Sequence, residues 1–125
     1  MVQTGIDKLR HKAQFQRGLD QSVVARSPHF ALHGASSPRI DPAEPRQIGA
    51  VIPKRWAKRA VTRNTIRRQI YQAWTDWCHR LPCGTHVVRL RQPFSTNQFT
   101  SATSSLLRGV VRQELNQLFA QRAQS

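Results

Sequence analysis

The sequence predicts a single α+β domain in which helices pack against a small sheet, and three observations lead to that prediction. Residues 66–77 and 107–119 carry apolar side chains at helical spacing, which indicates two amphipathic helices. The apolar runs 29–33, 48–52 and 85–90 are short and lie next to prolines or glycines, as strands commonly do. A chain of 125 residues favours one domain with a modest core in two layers.

The elements follow in chain order. A short helix is predicted over residues 8–19, with Gly18 near its end, and then a strand over 29–33; a further strand around Val23 fits the pattern. A strand over 48–52 leads into a helix that begins between residues 57 and 62 and ends near 78. A strand over 85–90 and a helix over about 100–122 complete the domain. Residues 36–47 contain three prolines and are predicted to form a surface loop, and 1–7 and 123–125 are expected to be loose.

The charge of the chain indicates its partner. Twenty lysines and arginines face six acidic residues, for a net charge of +14. Arginine dominates this excess, and its planar fork suits phosphate contacts and base stacking, so a nucleic acid is the predicted partner. The sequence contains neither a run long enough for a membrane span nor the apolar stretch of a secretory signal. Cys78 and Cys83 lack the spacing of a zinc pair, so reduced thiols in a cytoplasmic protein are expected.

The most informative segment is the basic stretch at residues 54–68. It contains seven cationic residues in fifteen and no acid. A helix surface that only faces solvent usually alternates acids with bases, because oppositely charged side chains one turn apart stabilise each other. Cations at a helix N-terminus also oppose the helix dipole. We therefore interpret this segment as a binding surface for phosphates.

Helical geometry divides this segment into two surfaces. One stripe of the helix is predicted to pack on the sheet: Ile66, Ile70, Ala73, Trp74 and Trp77. Three residues lie beside that stripe and face outward: Asn64, Arg67 and Arg68. Arg59 and Arg63 continue the line of the stripe before Ile66, so they are predicted to project past the core into a groove. Trp56 has two open interpretations, since it can stack on a base or cover the end of the core.

The sequence predicts no catalytic residues and no metal site in the protein. Its acidic residues are scattered and form no paired-carboxylate motif of the kind that holds a catalytic metal ion. No nucleophile motif is present either. Bond cleavage by the protein alone is not expected.

The stretch 49–55, Gly-Ala-Val-Ile-Pro-Lys-Arg, together with 59–68, Arg-Ala-Val-Thr-Arg-Asn-Thr-Ile-Arg-Arg, resembles the signature of the bacterial ribonuclease P protein family. The similarity extends upstream to Leu9-Arg10, Phe15 and Phe30, and downstream to 81–82, 87–88 and the amphipathic C-terminal helix. Some positions depart from the family pattern. Thr65 stands where the family usually has a second arginine, Tyr71-Gln72 replaces a usual Arg-Glu or Arg-Gln, and Leu19 and His33 stand where aromatic residues are common.

The resemblance implies a small mixed sheet with a left-handed βαβ crossover, the ribosomal protein S5 domain 2-like fold. It implies a protein subunit that binds the catalytic RNA of ribonuclease P and the 5′ leader of precursor tRNA, in a 1:1 protein–RNA complex. No cofactor is expected to bind the protein tightly, whereas the RNA subunit needs Mg²⁺. The residues assigned to the ribozyme RNA are Arg59, Asn64, Arg67 and Arg68. Those assigned to a leader-binding cleft are Phe15, His33, Val51, Lys54, Arg63 and Arg67.

Two other functions remain open at this point. A ribosomal or ribosome-assembly protein that binds rRNA without an enzymatic role fits the composition equally well, and only the basic helix after the Lys-Arg strand end disfavours it. A DNA-binding regulator is disfavoured because no helix-turn-helix partner precedes the basic helix.

Overall fold

The computed structural model describes residues 8–34, 46–81, 84–93 and 105–124. Within these ranges the chain forms three helices, α1 (Lys12–Leu19), α2 (Ala60–Trp77) and α3 (Ser105–Gln124). The strands are β1 (Val23–Arg26), β2 (Phe30–His33), β3 (Arg46–Val51) and β4 (Gly84–Leu90), and a single 3₁₀ turn, Cys78–Arg80, ends α2. The predicted fold class is confirmed, and the additional strand around Val23 is present.

The four strands form one mixed sheet in the order β1-β2-β4-β3. β2 pairs antiparallel with β1 and β4, while β3 and β4 pair in parallel and are connected through α2. A parallel pair requires such a crossover, because the chain must return to the end of the sheet where β3 began before it can start β4 in the same direction. The β3-α2-β4 unit therefore sets the position of the basic helix.

α2 and α3 cover one face of the sheet and form the main core with it. The predicted stripe of α2 is buried, except that Trp77 is only partly so. From the sheet, the core receives Phe30, Leu32, Ile48, Val88 and Leu90. From α3 it receives Leu107, Val111, Leu115, Leu118 and Phe119.

α1 packs on the opposite face of the sheet. The approach is close, since a Cβ atom at Gly18 would overlap Cγ2 of Val87. A Cβ at Gly49 would lie 2.8 Å from the rings and methyl groups of Phe15 and Leu9. Glycines at these two contacts allow the helix and its preceding segment to lie directly on the strands.

Three element boundaries differ from the predictions, and long-range pairing explains two of them. α1 begins at Lys12 instead of residue 8, because the Leu9 N–H donates to the Ile48 carbonyl at 2.9 Å and residues 8–9 run beside β3. Gln47, expected in the 36–47 loop together with Arg46, instead pairs with Thr85 in the sheet. Residues 1–7 and 125, expected to be loose, and residues 36–45 and 100–104 lie outside the described part of the chain. α3 continues to Gln124, and Ala123 packs on the core.

Candidate RNA-binding surface

The first half of α2 presents cations that form no ion pair with an acid of the described residues. Arg59 stands at the position before the helix with an extended backbone, and the first turn contains no acidic residue. Arg59, Asn64 and Arg68 are exposed, and Arg67 is partly buried. Arg67 Nη1 donates to Asn64 Oδ1 at 3.0 Å, so the structure brings these two predicted RNA contacts together. The outward orientation of this surface agrees with the helical geometry.

Arg67 also belongs to a cationic group around Tyr71. The Lys8 ammonium lies 4.3 Å from the centre of the Tyr71 ring, a cation–π contact across the edge of β3. Burial raises the pKa of Tyr71, and the Arg67 guanidinium acts in the opposite direction. The tyrosine therefore stays neutral at physiological pH, and its hydroxyl can donate a hydrogen bond. Sequence reasoning placed neither Lys8 nor Tyr71 at the site.

Arg63 has a structural partner that the sequence did not indicate. Its Nη1 donates to the carbonyl oxygens of Ala57 and Lys58, both at 2.9 Å. The side chain is partly buried and ties the loop before α2 to the first turns of the helix. Arg63 therefore shapes the path of the backbone near Lys58 and Arg59 in addition to contributing charge.

The turn after β3 positions Lys54 and closes one end of the core. The N–H groups of Trp56 and Ala57 both donate to the Pro53 carbonyl, at 3.0 and 3.2 Å. Trp56 packs against the core and has the Arg55 guanidinium 4.9 Å from its ring centre. Of the two open interpretations of Trp56, the structure shows the cover over the core. Lys54 is exposed beside it.

The remaining predicted cleft residues lie on the face of the sheet where α1 packs. We call this surface the α1 face. Its central residues are His33, Gly49, Val51, Val87 and Arg89. Phe15 of α1 is partly buried over Gly49, and Val51 is partly buried two residues further along β3. The side chain of His33 points to the other face of the sheet from those of Phe30 and Leu32, as strand alternation predicts. The structure thus brings Phe15, His33 and Val51 to one surface.

Arg89 is a residue of this surface that the sequence analysis missed. Its Nε–H donates to His33 Nε2 at 3.2 Å, while His33 Nδ1 lies 3.0 Å from the carbonyl oxygen of Gln21. The signal was present in the sequence. In β4, Val88 and Leu90 face the core, and strict alternation places Arg89 on the other face.

The acids of the described residues lie away from these cations. Asp20 accepts from Gln16, Asp76 pairs with Arg112, and Glu114 accepts from Ser27 and His29. Within the same ranges, no group of three or more His, Cys, Asp or Glu side chains is placed to hold a metal ion. Cys78 is a free thiol, and Cys83 lies outside the described residues. Both surfaces are therefore suited to anions.

Comparison with known proteins decides the family. The sequence profile of the family described as Ribonuclease P matches residues 5–119. The chain belongs to the ribonuclease P protein family. Its relatives include a "Ribonuclease P protein component" of Bordetella parapertussis, which is 32% identical over 113 residues covering 90% of this chain and 88% of that protein. One from Ralstonia pickettii is 34% identical over 96 residues, covering 77% of this chain and 64% of that protein.

Solved ribonuclease P proteins share the fold at lower sequence identity. The Staphylococcus aureus RNase P protein superimposes with a TM-score of 0.67 and 18% identity, covering 98% of this chain and 94% of that one. The Thermotoga maritima RNase P protein gives a TM-score of 0.61 and 18% identity, with 91% and 96% covered. None of the described helices is long and apolar enough to cross a membrane. The fold of this chain thus agrees with its membership of the ribonuclease P protein family.

Proposed function

We propose that this chain is the RNA-binding protein subunit of ribonuclease P, which binds the catalytic RNA and the 5′ leader of precursor tRNA and assists removal of that leader. Family membership supports this function over the rRNA-binding alternative. The observation that carries it in the structure is the acid-free cationic surface at the start of α2, next to the partly exposed aromatic and cationic residues of the α1 face. Such a pair of surfaces suits one structured RNA and one single strand.

The outer surface of α2 is proposed to contact the catalytic RNA through Arg59, Asn64, Arg67 and Arg68. Arg59 stands directly before the helix and the other three side chains project from it, and the hydrogen bond between Arg67 and Asn64 holds one guanidinium in place. Charge-assisted hydrogen bonds to phosphates would give affinity with a strong dependence on salt. Sequence specificity is not needed at such a surface.

The cleft beside α1 is proposed to hold the single-stranded leader. Phe15 offers a ring on which a base can stack, and Val51 adds an apolar floor. Lys54 and Arg63 lie beyond the end of β3, where they would meet the phosphates of a strand that leaves the sheet. His33 and Arg67 complete the proposed cleft.

We further propose that the RNA performs the chemistry and that Mg²⁺ acts with the RNA. The described part of the protein offers no carboxylate cluster for a catalytic metal ion. The protein would instead replace part of the counterion atmosphere around closely packed phosphates, and so reduce the Mg²⁺ that the RNA requires. A 1:1 protein–RNA complex in the cytoplasm is the proposed working form.

Reconstitution with the ribonuclease P RNA of the same organism tests this function. Cleavage of a precursor tRNA is measured against Mg²⁺ concentration with RNA alone, with the complex, and with protein alone. We expect the complex to cleave at a lower Mg²⁺ concentration than the RNA alone, and the protein alone to leave the substrate intact. The double substitution Arg67→Gln and Arg68→Gln should raise the Mg²⁺ requirement again, whereas Gln113→Ala on the outer surface of α3 should not. Cleavage by the purified protein alone would contradict the proposal.

A further inference from the structure

Arg89 occupies the centre of the α1 face. It lies on β4, an inner strand, and is in register with Ala31 on one side and Val51 on the other. Its side chain is partly buried. α1 covers the neighbouring pair of residues along the strands, Val87 and Gly49, so Arg89 lies next to the helix and one step beyond Phe15.

His33 fixes the direction of the Arg89 guanidinium. A carbonyl oxygen can only accept, so His33 Nδ1 carries the proton that is donated to Gln21, and Nε2 is left to accept from Arg89 Nε. Both nitrogens of the ring are thereby occupied. The two terminal amino groups of Arg89 have no hydrogen-bond partner among the described residues, and they are the groups that form a planar fork.

The charge of Arg89 has no carboxylate partner in the described ranges. Asp20, Asp76 and Glu114 are each engaged elsewhere. Arg91 provides an internal comparison, because it is two residues further along the strand and donates through Nε and Nη2 to the Ser27 carbonyl. Arg91 thus serves the protein, whereas the fork of Arg89 has no partner within the described ranges. A partly buried, uncompensated guanidinium favours an anionic or acceptor-rich ligand.

We infer that Arg89 is a leader-contacting residue of the cleft and that His33 is its positioning residue. This inference rests on the proposed function and names the contact in more detail. The ligand group is a pair of acceptors that matches the fork, either two oxygens of one phosphate or the O6 and N7 atoms of a guanine.

The test compares the affinity of the holoenzyme for a leader-bearing precursor tRNA and for mature tRNA at one salt concentration. The variants are Arg89→Gln and Arg17→Gln, which remove the same charge; Arg17 is exposed on α1. We expect Arg89→Gln to weaken precursor binding about tenfold, the size of one charge-assisted hydrogen bond, and to change mature tRNA binding less than about twofold. Arg17→Gln should affect both ligands slightly and equally. Arg89→Lys, which keeps the charge without the fork, should also lose most of the precursor affinity.

His33 is tested by loss and rescue. His33→Leu should weaken precursor binding selectively, since the guanidinium remains but is no longer held, and His33→Gln should recover affinity by restoring an acceptor. A leader carrying 7-deazaguanine identifies the ligand group: wild-type affinity falls if Arg89 binds guanine N7 and is unchanged if it binds phosphate.

The results separate this inference from the proposed function. A wild-type holoenzyme that binds precursor and mature tRNA equally would overturn the proposed function itself. A wild type that prefers the precursor, together with an Arg89→Gln variant that loses nothing or loses both ligands equally, would overturn only the role of Arg89. Thermal unfolding of each variant confirms that the fold is retained.

Discussion

Arg122 on α3 donates from Nε to His86 Nε2 on β4 at 3.3 Å, and both residues are almost completely buried, at 2% and 1% exposed. The imidazole lies 5.6 Å from the centre of the Trp74 ring, so the pair connects α3 to the sheet next to α2. Burial and then the Arg122 guanidinium lower the pKa of His86 to about 4, while the Gly84 backbone acts in the opposite direction. The core therefore contains a histidine that must remain neutral.

This histidine makes the stability of the domain depend on pH. The folded pKa lies below the value of 6.5 in the unfolded chain, so protonation favours unfolding. The stability that depends on the neutral imidazole is fully present above pH 6.5 and is lost as the pH falls towards 4. About 2 kcal/mol of unfolding free energy is lost by pH 5. His86→Gln keeps an acceptor for Arg122 and does not titrate. Its free energy of unfolding should fall less than the wild-type value between pH 7.5 and pH 5, and parallel pH profiles would refute this role.

Glu114 should be the acidic residue on which the fold depends most among those described. Its carboxylate accepts from the Ser27 hydroxyl and the His29 N–H, both at 2.7 Å, and is 2.6 Å from His29 Nδ1. Removing it takes away the acceptor of the buried Ser27 hydroxyl and of the partly buried His29 N–H, so Glu114→Ala should cost about 3 kcal/mol of unfolding free energy. Asp76 is 64% exposed in its ion pair with Arg112, and Asp76→Ala should cost less than about 1 kcal/mol. Urea denaturation compares the two, and equal losses would disprove the distinction.

Two glycines on helices should respond to alanine in opposite directions. At Gly18 the new methyl group would overlap Val87, so Gly18→Ala should displace α1 and destabilise the domain by about 1–3 kcal/mol. At Gly109 nothing lies within 4 Å of the new atom, so Gly109→Ala should stabilise α3 by about 0.5–1 kcal/mol. Thermal melts of the two variants measure this. A destabilised Gly109→Ala would show that the outer surface of α3 is more constrained than the structure indicates.

Substitutions of Arg68 and Arg112 should have different effects, one on RNA affinity and the other on stability. Arg68 is exposed on the outer surface of α2, so Arg68→Ala should weaken binding to the catalytic RNA by about 1–2 kcal/mol and leave unfolding unchanged. Arg112 donates to Gln69, Gln72 and Asp76 across the α2–α3 contact, so Arg112→Ala should lower stability and change RNA affinity less. Salt titrations of RNA binding provide the measurement. The assignment of the α2 surface would be wrong if Arg68→Ala left both the affinity and the salt dependence unchanged.

Arg63 and Arg59 should affect different ligands. Arg63→Ala is expected to weaken binding of precursor tRNA more than of mature tRNA, because Arg63 is proposed to border the leader cleft and donates to the Ala57 and Lys58 carbonyl oxygens. Arg59→Ala removes an exposed cation of the proposed ribozyme surface and should leave the ratio of the two affinities unchanged. Holoenzyme binding at one fixed salt concentration tests the pair. Equal losses for both ligands with Arg63→Ala would make it a general RNA anchor.

The sequence by itself determined the features that depend on local geometry. The burial of Ile66, Ile70 and Trp74 and the exposure of Asn64 and Arg68 follow from helical periodicity, which any α-helix imposes on its side chains. Strand alternation likewise placed His33 on the face opposite Phe30. The order of the helices and strands was predictable for the same reason, since each element is built from neighbouring residues.

Only the tertiary structure decided which distant residues meet. His33 and Arg89 are 56 positions apart, and Ser27 and Glu114 are 87 apart. Their contacts depend on the register of β2 against β4 and on the packing of α3, which no local pattern specifies. The same reason explains why Leu9 pairs with Ile48 instead of starting α1, and why Arg63 is bonded to the Ala57 and Lys58 carbonyl oxygens. Long-range pairing selects among local conformations of similar free energy, so these contacts are properties of the folded chain as a whole.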